Sequence, residues 1–272
     1  MKANNLILAA LCAAALCVPT DARANAPAKI KLASNPDTIL EGTLRWVAST
    51  KEYVFTRNGS TIDSRYKPEQ IIDKQVTPPA GIAALANQAR GSTPDQALPG
   101  LLKIVDDYKM LNWDIEASAV AAYIYALKNN NDAIIKLAEK VCADNSAAAV
   151  TSKLAPYYWE ALIKTGKTAG GKLNKWLDDA VATAPAAIAA KALITRGDIL
   201  KKENRAKDAL KDGYLRVALL YMTEKDANAE ALYKASVAFD ELGQTPYAEK
   251  MRQRLIATHK NSPWVGKLQG GK

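Results

Sequence analysis

Two places in this 272-residue chain carry residue types that could do chemistry. The first is Gly166 to Leu173, GKTAGGKL, which spells G-x-x-x-x-G-K, the spacing of a loop that cradles phosphates with its amides and lysine. The second is the single histidine, His259. A phosphate loop needs a Ser or Thr after its lysine for the magnesium ion and a strand before it, so that the amides open toward the ligand. Here Leu173 holds the magnesium position, and the preceding Tyr157–Ile163, YYWEALI, reads as a helix. The glycines therefore predict a turn between two helices, with Leu173 pointing inward and no nucleotide bound. One imidazole excludes a His-based metal site, and a Ser-His or Cys-His pair would have to recruit His259. Aspartates and glutamates are plentiful, so paired-carboxylate hydrolysis stays open, although no pair stands out from a solvated helix face. No cofactor is expected.

The elements that would position such residues begin after a targeting segment. Lys2 precedes an apolar run, Leu6 to Val18, and then Ala22-Arg23-Ala24. This predicts a signal peptide, residues 1–24, cleaved after Ala24. The run is shorter than the ~20 residues a membrane-spanning helix requires, and no transmembrane segment is expected elsewhere. Cys12 and Cys17 each follow a leucine, which argues against lipid attachment. Export, most simply to the periplasm or beyond, would leave Cys142 alone. It is then a buried apolar residue or a thiol for intermolecular pairing, and a hydrophobic core must hold the fold. The chain has 37 basic and 28 acidic residues. That surplus favours an acidic or mixed-charge partner, while export argues against nucleic acid.

Two compositions meet at Pro78-Pro79. Residues 38–77 read as a small β module of four short strands: TILEGTLRWV, KEYVFTR, STIDSRY and QIIDKQV. Asn58-Gly59 predicts a tight hairpin turn, and Asn58-Gly59-Ser60 is also a glycosylation sequon. Trp46 is expected in the module's core. The strand pattern resembles the small SH3-like β modules that precede helical repeats in some exported bacterial proteins.

From Gly81 the apolar spacing turns helical and repeats. The clearest unit is Ala229–Pro263, with Leu232, Ala235, Ser236 and Phe239 on a first helix, Gly243 as its cap, and Ala248, Met251 and Leu255 on a second. Small residues recur upstream in register. The first-helix position reads Ala121, Ala161, Gly197, Ser236, and the second-helix position reads Ala133, Leu173, Ala209, Ala248. Both step by 40, 36 and 39 residues. Leu85 and Ala97 sketch one further unit upstream. The units resemble the tetratricopeptide repeat (TPR), and the Asn261-Ser262-Pro263 ending resembles repeats of exported bacterial Tol-Pal coordinating proteins. Leu173, Arg252 and the long intervals depart from that pattern. The expected class is mainly α, a TPR-like solenoid of four to five degenerate repeats over residues 81–265, folding without the β module, with 266–272 as a tail.

The resemblance implies a non-catalytic scaffold that holds a protein or peptide partner on the inner face of its first helices. Carried over residue by residue, partner contacts fall to Tyr158 in the second repeat, to Lys191, Asp198 and Lys201 in the third, and to Glu230 and Tyr233 in the last. The basic run Lys201, Lys202, Arg205, Lys207, Lys211 reads as a solvated face or a docking patch. Trp113, Trp159, Trp176, Tyr123, Tyr157, Tyr214 and Tyr221 read mostly as core, and Trp264 as a cover for the last repeat. The alternatives are a protein that binds envelope glycan or peptidoglycan, and a carboxylate-dependent hydrolase.

Overall fold

The computed structural model describes residues 24–167, 171–268 and 270. The signal-peptide reading therefore lies outside the described residues except for Ala24. The chain opens with five strands: β1 (Ala26–Leu32), β2 (Asn35–Val47), β3 (Glu52–Arg57), β4 (Asp63–Tyr66) and β5 (Ile71–Val76). They form one antiparallel sheet in the order β4-β3-β2-β1-β5. β4 and β5 lie at opposite edges, yet a short link containing the 3-10 turn Pro68–Gln70 joins them, so the sheet must curl tightly.

Two expectations need correction here. The module starts at Ala26, not residue 38, and includes an interior strand, β1, that the four expected strands leave out. Ala26, Ala28 and Ile30 alternate inward, but two of these three side chains are small and give a weak hydrophobic signal. Asn58-Gly59 does not close a two-residue hairpin. Ser60 N donates to Arg57 O at 2.9 Å across a turn in which Gly59 takes φ 77°, and residues up to 62 follow before β4. Only Gly59 adopts positive φ, whereas the tight hairpin turn needs it at both central residues. Trp46 fills the module as expected, edge-on to Tyr53 at 4.9 Å between ring centroids.

The remainder is helical: α1 (Ile82–Ala89), α2 (Leu98–Asp107), α3 (Trp113–Leu127), α4 (Asn131–Cys142), α5 (Ala148–Thr151), α6 (Ala155–Thr165), α7 (Lys172–Thr183), α8 (Ala186–Lys202), α9 (Ala206–Ala209), α10 (Leu215–Leu220), α11 (Lys225–Glu241), α12 (Thr245–Thr258) and α13 (Pro263–Leu268). The π-helical turn Leu210–Tyr214 joins α9 to α10. α3–α4, α6–α7, α8 with α9–α10, and α11–α12 are successive hairpins, preceded by α1–α2. The first helices α3, α6, α8 and α11 pack on one another in turn. The small residues sit at the contacts: Ala121, Ala161 and Ser236 are at most 1% exposed, Gly197 is buried, and Ala209 and Ala248 are fully covered. Leu173 and Trp159 fill the space between α6 and α7, whose backbones approach less closely than those of α3–α4. Gly166 caps α6 and Gly171 precedes α7, so GKTAGGKL runs from helix to helix; Thr168, Ala169 and Gly170 lie outside the described residues. The chain end also differs from expectation. Residues 263–268 form α13, whose Val265 packs with Leu232 and Leu255.

The helices do not part from the sheet at Pro78-Pro79. The α2–α3 loop inserts Met110 and Leu111 into the core of the β module. Tyr53 Oη and Lys74 Nζ both donate to Met110 O at 2.9 Å, and Trp113 Nε1 donates to Val76 O at 2.9 Å. Asp114 Oδ2 accepts from Met110 N at 2.8 Å and fixes the loop from the helical side. Burial pushes the Asp114 carboxyl up more than the Met110 and Ile115 amides and the nearby Lys74 pull it down. Asp114→Ala should cost about 2–3 kcal/mol, because it leaves a buried amide without an acceptor and Lys74 without a countercharge. The check is a lower Tm together with a changed near-ultraviolet signal from Tyr53 and Trp113. An unchanged Tm would mean that the loop is held by apolar packing alone.

Candidate functional site

The first helices line a continuous groove of about 1100 Å³. α3 contributes Glu116, Val120 and Tyr123, and α6 contributes Pro156, Tyr157 and Glu160. α8 adds Ile188, Lys191 and Asp198, and α11 adds Glu230 and Lys234. Trp264 of α13 closes one end, and Arg90 after α1 lies at the other.

The floor between α8 and α11 is a chain of charges. Lys191 bonds Glu230 Oε2, Lys234 Nζ reaches Glu230 Oε1 at 2.8 Å and Asp198 Oδ2 at 2.6 Å, and Tyr214 Oη donates to Asp198 Oδ1 at 2.8 Å. Burial alone would push the Glu230 carboxyl up, but Lys234 and Lys191 outweigh it and hold it below its ordinary range. Burial likewise opposes charge on Lys234, and Glu230 and Asp198 more than restore it, so its ammonium titrates above the usual value. Tyr214 is raised by burial and by Asp198. It reaches the groove floor from the second layer, because its ring lies where a side chain at position 197 would be; a Cβ on Gly197 would sit 2.5 Å from Tyr214 Cε1. Nearer α3, Lys153 bonds Glu116 at 2.9 Å, and Lys164 bonds Glu160 at 2.7 Å.

Of the six expected contact residues, Lys191, Asp198 and Glu230 line this groove together. The other three sit elsewhere. Tyr158 is 6% exposed and packs on Trp176 at 5.4 Å between ring centroids, with its hydroxyl pushed up to about 12, first by burial and then by Glu139 and Cys142. Its neighbour Tyr157, which reads as core in the sequence, faces the groove, as does Tyr123. Tyr233 packs on Trp264 in a tilted arrangement at 5.2 Å between ring centroids, and Lys201 pairs with Glu241 at 2.9 Å. Helix geometry accounts for these placements. At about 100° per residue, Tyr233 is turned some 60° away from Glu230, whereas Lys234 is turned only 40°. Lys201, ten residues beyond Lys191, has rotated about 80° off the same line. The i+4 spacing from Glu230 to Lys234 was the readable signal for the missed floor residue.

The remaining candidates are structural. His259 Nε2 lies 3.0 Å from Asn228 Oδ1, while Asn228 Nδ2 donates to Val217 O and Ala218 O, so His259 ties the end of α12 to α10. Burial lifts the Cys142 thiol to about 11 against the pull of Lys172, which keeps it protonated near neutrality. In the basic run, Lys201 is paired, Arg205 bonds Glu203 and Asp208, and Lys202 bonds Ile163 O. No helix is long and apolar enough to cross a membrane among the described residues. Protein-family models, curated proteins and solved structures were compared with the chain, and none matches.

Proposed function

We propose that this chain is an exported, non-catalytic scaffold: a degenerate TPR-like solenoid behind an SH3-like β module, holding a segment of a protein partner in its concave groove. One observation carries the reading. The first helices of four successive hairpins line a single groove, and the second helices lie behind them, the arrangement by which stacked hairpins present a binding face. The meander order of the sheet, with a 3-10 turn before the last strand, supports the SH3-like assignment. Cleavage near Ala24 and a periplasmic or secreted destination follow from the charge and apolar pattern of residues 1–24.

The pairing of the groove carboxylates argues against hydrolysis. Four of the six, Glu116, Glu160, Asp198 and Glu230, are each bonded to a lysine. Glu230 is held below its ordinary range, the reverse of what a general acid needs. The test is partner affinity in Tyr157→Ala combined with Trp264→Ala. Aromatic anchors at an interface often supply ~2 kcal/mol or more each, so binding should weaken by about 100-fold or more while circular dichroism stays unchanged. A double variant that binds normally would exclude the groove as the working surface.

A further inference from the structure

The charge of the chain and the charge of its groove do not match. The chain is basic by nine. The groove carries six basic and six acidic side chains. Eight of those twelve are spent on one another, in the Lys153–Glu116 and Lys164–Glu160 pairs and in the Lys191–Glu230–Lys234–Asp198 chain. The other four take part in none of these pairs: Arg90 follows α1, and Glu224, Lys225 and Asp226 lie together at the start of α11, with Asp226 one turn before Glu230. Between the charged pairs Val120, Tyr123, Tyr157 and Ile163 present partly exposed apolar surface to the groove, over the buried Ile188 and Ile194. The surplus positive charge therefore lies outside the groove.

We propose that the occupant is an uncharged, apolar-rich extended segment of a protein partner, about eight residues long. This rests on the groove being the binding surface. A charged ligand group over the α8–α11 floor would meet lysines and carboxylates already compensated at 2.6–2.8 Å, so it would lose its water without gaining a free countercharge. Apolar side chains meet no such obstacle and cover the valine, isoleucine and tyrosine faces. A glycan needs free hydrogen-bonding groups along its path, and the eight paired charges are turned toward one another. The length follows from geometry. Four helices at ~9 Å spacing span roughly 27 Å, and an extended chain advances about 3.3 Å per residue.

The experiment is selection from a random dodecapeptide phage library on the chain from residue 25 onward. Selected peptides are then measured against wild type, Ala187→Arg and Tyr157→Glu. Ala187 is exposed in the first turn of α8 and lines the groove, so its substitution leaves the core untouched; Tyr157 supplies a second, independent probe from α6. The expected peptides share an apolar window with net charge near zero. Both variants should weaken them at least tenfold, and their affinity should change less than about threefold between ~20 mM and ~500 mM salt. Groove-dependent peptides that are strongly acidic or basic, with affinity collapsing in salt, would overturn this inference and leave the groove reading intact. Peptides indifferent to both variants would overturn the groove reading itself, as would the absence of any selected peptide together with the absence of groove-dependent glycan binding. Uncharged glycan strands that bind in a groove-dependent way, where no peptide does, would overturn the choice of partner.

Discussion

Gly213→Ala should destabilise the protein by about 3 kcal/mol, a fall in Tm of roughly 6–12 °C for a chain of this size. The sign is the informative part, because alanine is the better helix former by about 1 kcal/mol and would stabilise an open helical site. Gly213 lies in the π turn packed across Gly197 of α8. A Cβ on Gly213 would stand 2.7 Å from Gly197 Cα and 2.9 Å from both Gly197 N and Leu193 O. All three are backbone atoms and cannot swing aside, so the helices must separate. Separation also draws Tyr214 away from Asp198, so the groove floor should loosen along with the fold. Thermal unfolding followed by circular dichroism checks this. An alanine variant at least as stable as wild type would mean that the two helices do not approach as closely as described.

Much of this architecture was legible beforehand, and the legible and illegible parts differ for a physical reason. The hairpin register could be read because the positions of closest helix approach tolerate only small side chains, and Ala161, Gly197, Ser236, Ala209 and Ala248 keep that spacing through irregular intervals. The groove face was half legible. Lys191, Asp198 and Glu230, which the resemblance places on the inner face of first helices, line the groove, but adjacent tyrosines at 157 and 158 differ by about 100° in direction and nothing local says which one faces inward. The interior strand β1 was not legible because its inward residues are mainly alanine. The insertion of Met110 and Leu111 into the β module was not readable either, since a contact between a sheet and a distant helix loop leaves no periodic trace.

Glu230→Ala should be the second large effect, about 2–4 kcal/mol at neutral pH. Breaking a buried charge pair strands the remaining charge: Lys191 loses its partner and Lys234 is left with Asp198 alone; that surviving pair and the partial exposure of Lys191 keep the cost toward the lower end. Its pH dependence identifies the cause. The Glu230 carboxyl is depressed in the folded protein, so its stabilisation is present above its unfolded value of about 4.3 and disappears as pH falls through the lower folded value. Lys234 is raised when folded, so its share is complete below about 10.4 and is lost as pH climbs through the folded value. Wild type should therefore hold a plateau between these limits. The difference in Tm between wild type and Glu230→Ala should shrink in acid, where the wild-type carboxylate is itself neutralised. A difference that is constant from pH 3 to pH 9 would assign the loss to packing rather than charge.

The working surface is best tested by position. A photo-cross-linking residue is placed at Ala187, in the groove, and in a second protein at Lys211, which is exposed in the π turn of the outer helices. Both proteins are irradiated in extracts of the source cells, and the adducts are compared by mass spectrometry. The account predicts a discrete protein adduct from position 187, suppressed by Tyr157→Ala with Trp264→Ala, and none from position 211. The same adduct forming from position 211 but not from 187 would place the partner on the convex side and contradict the account.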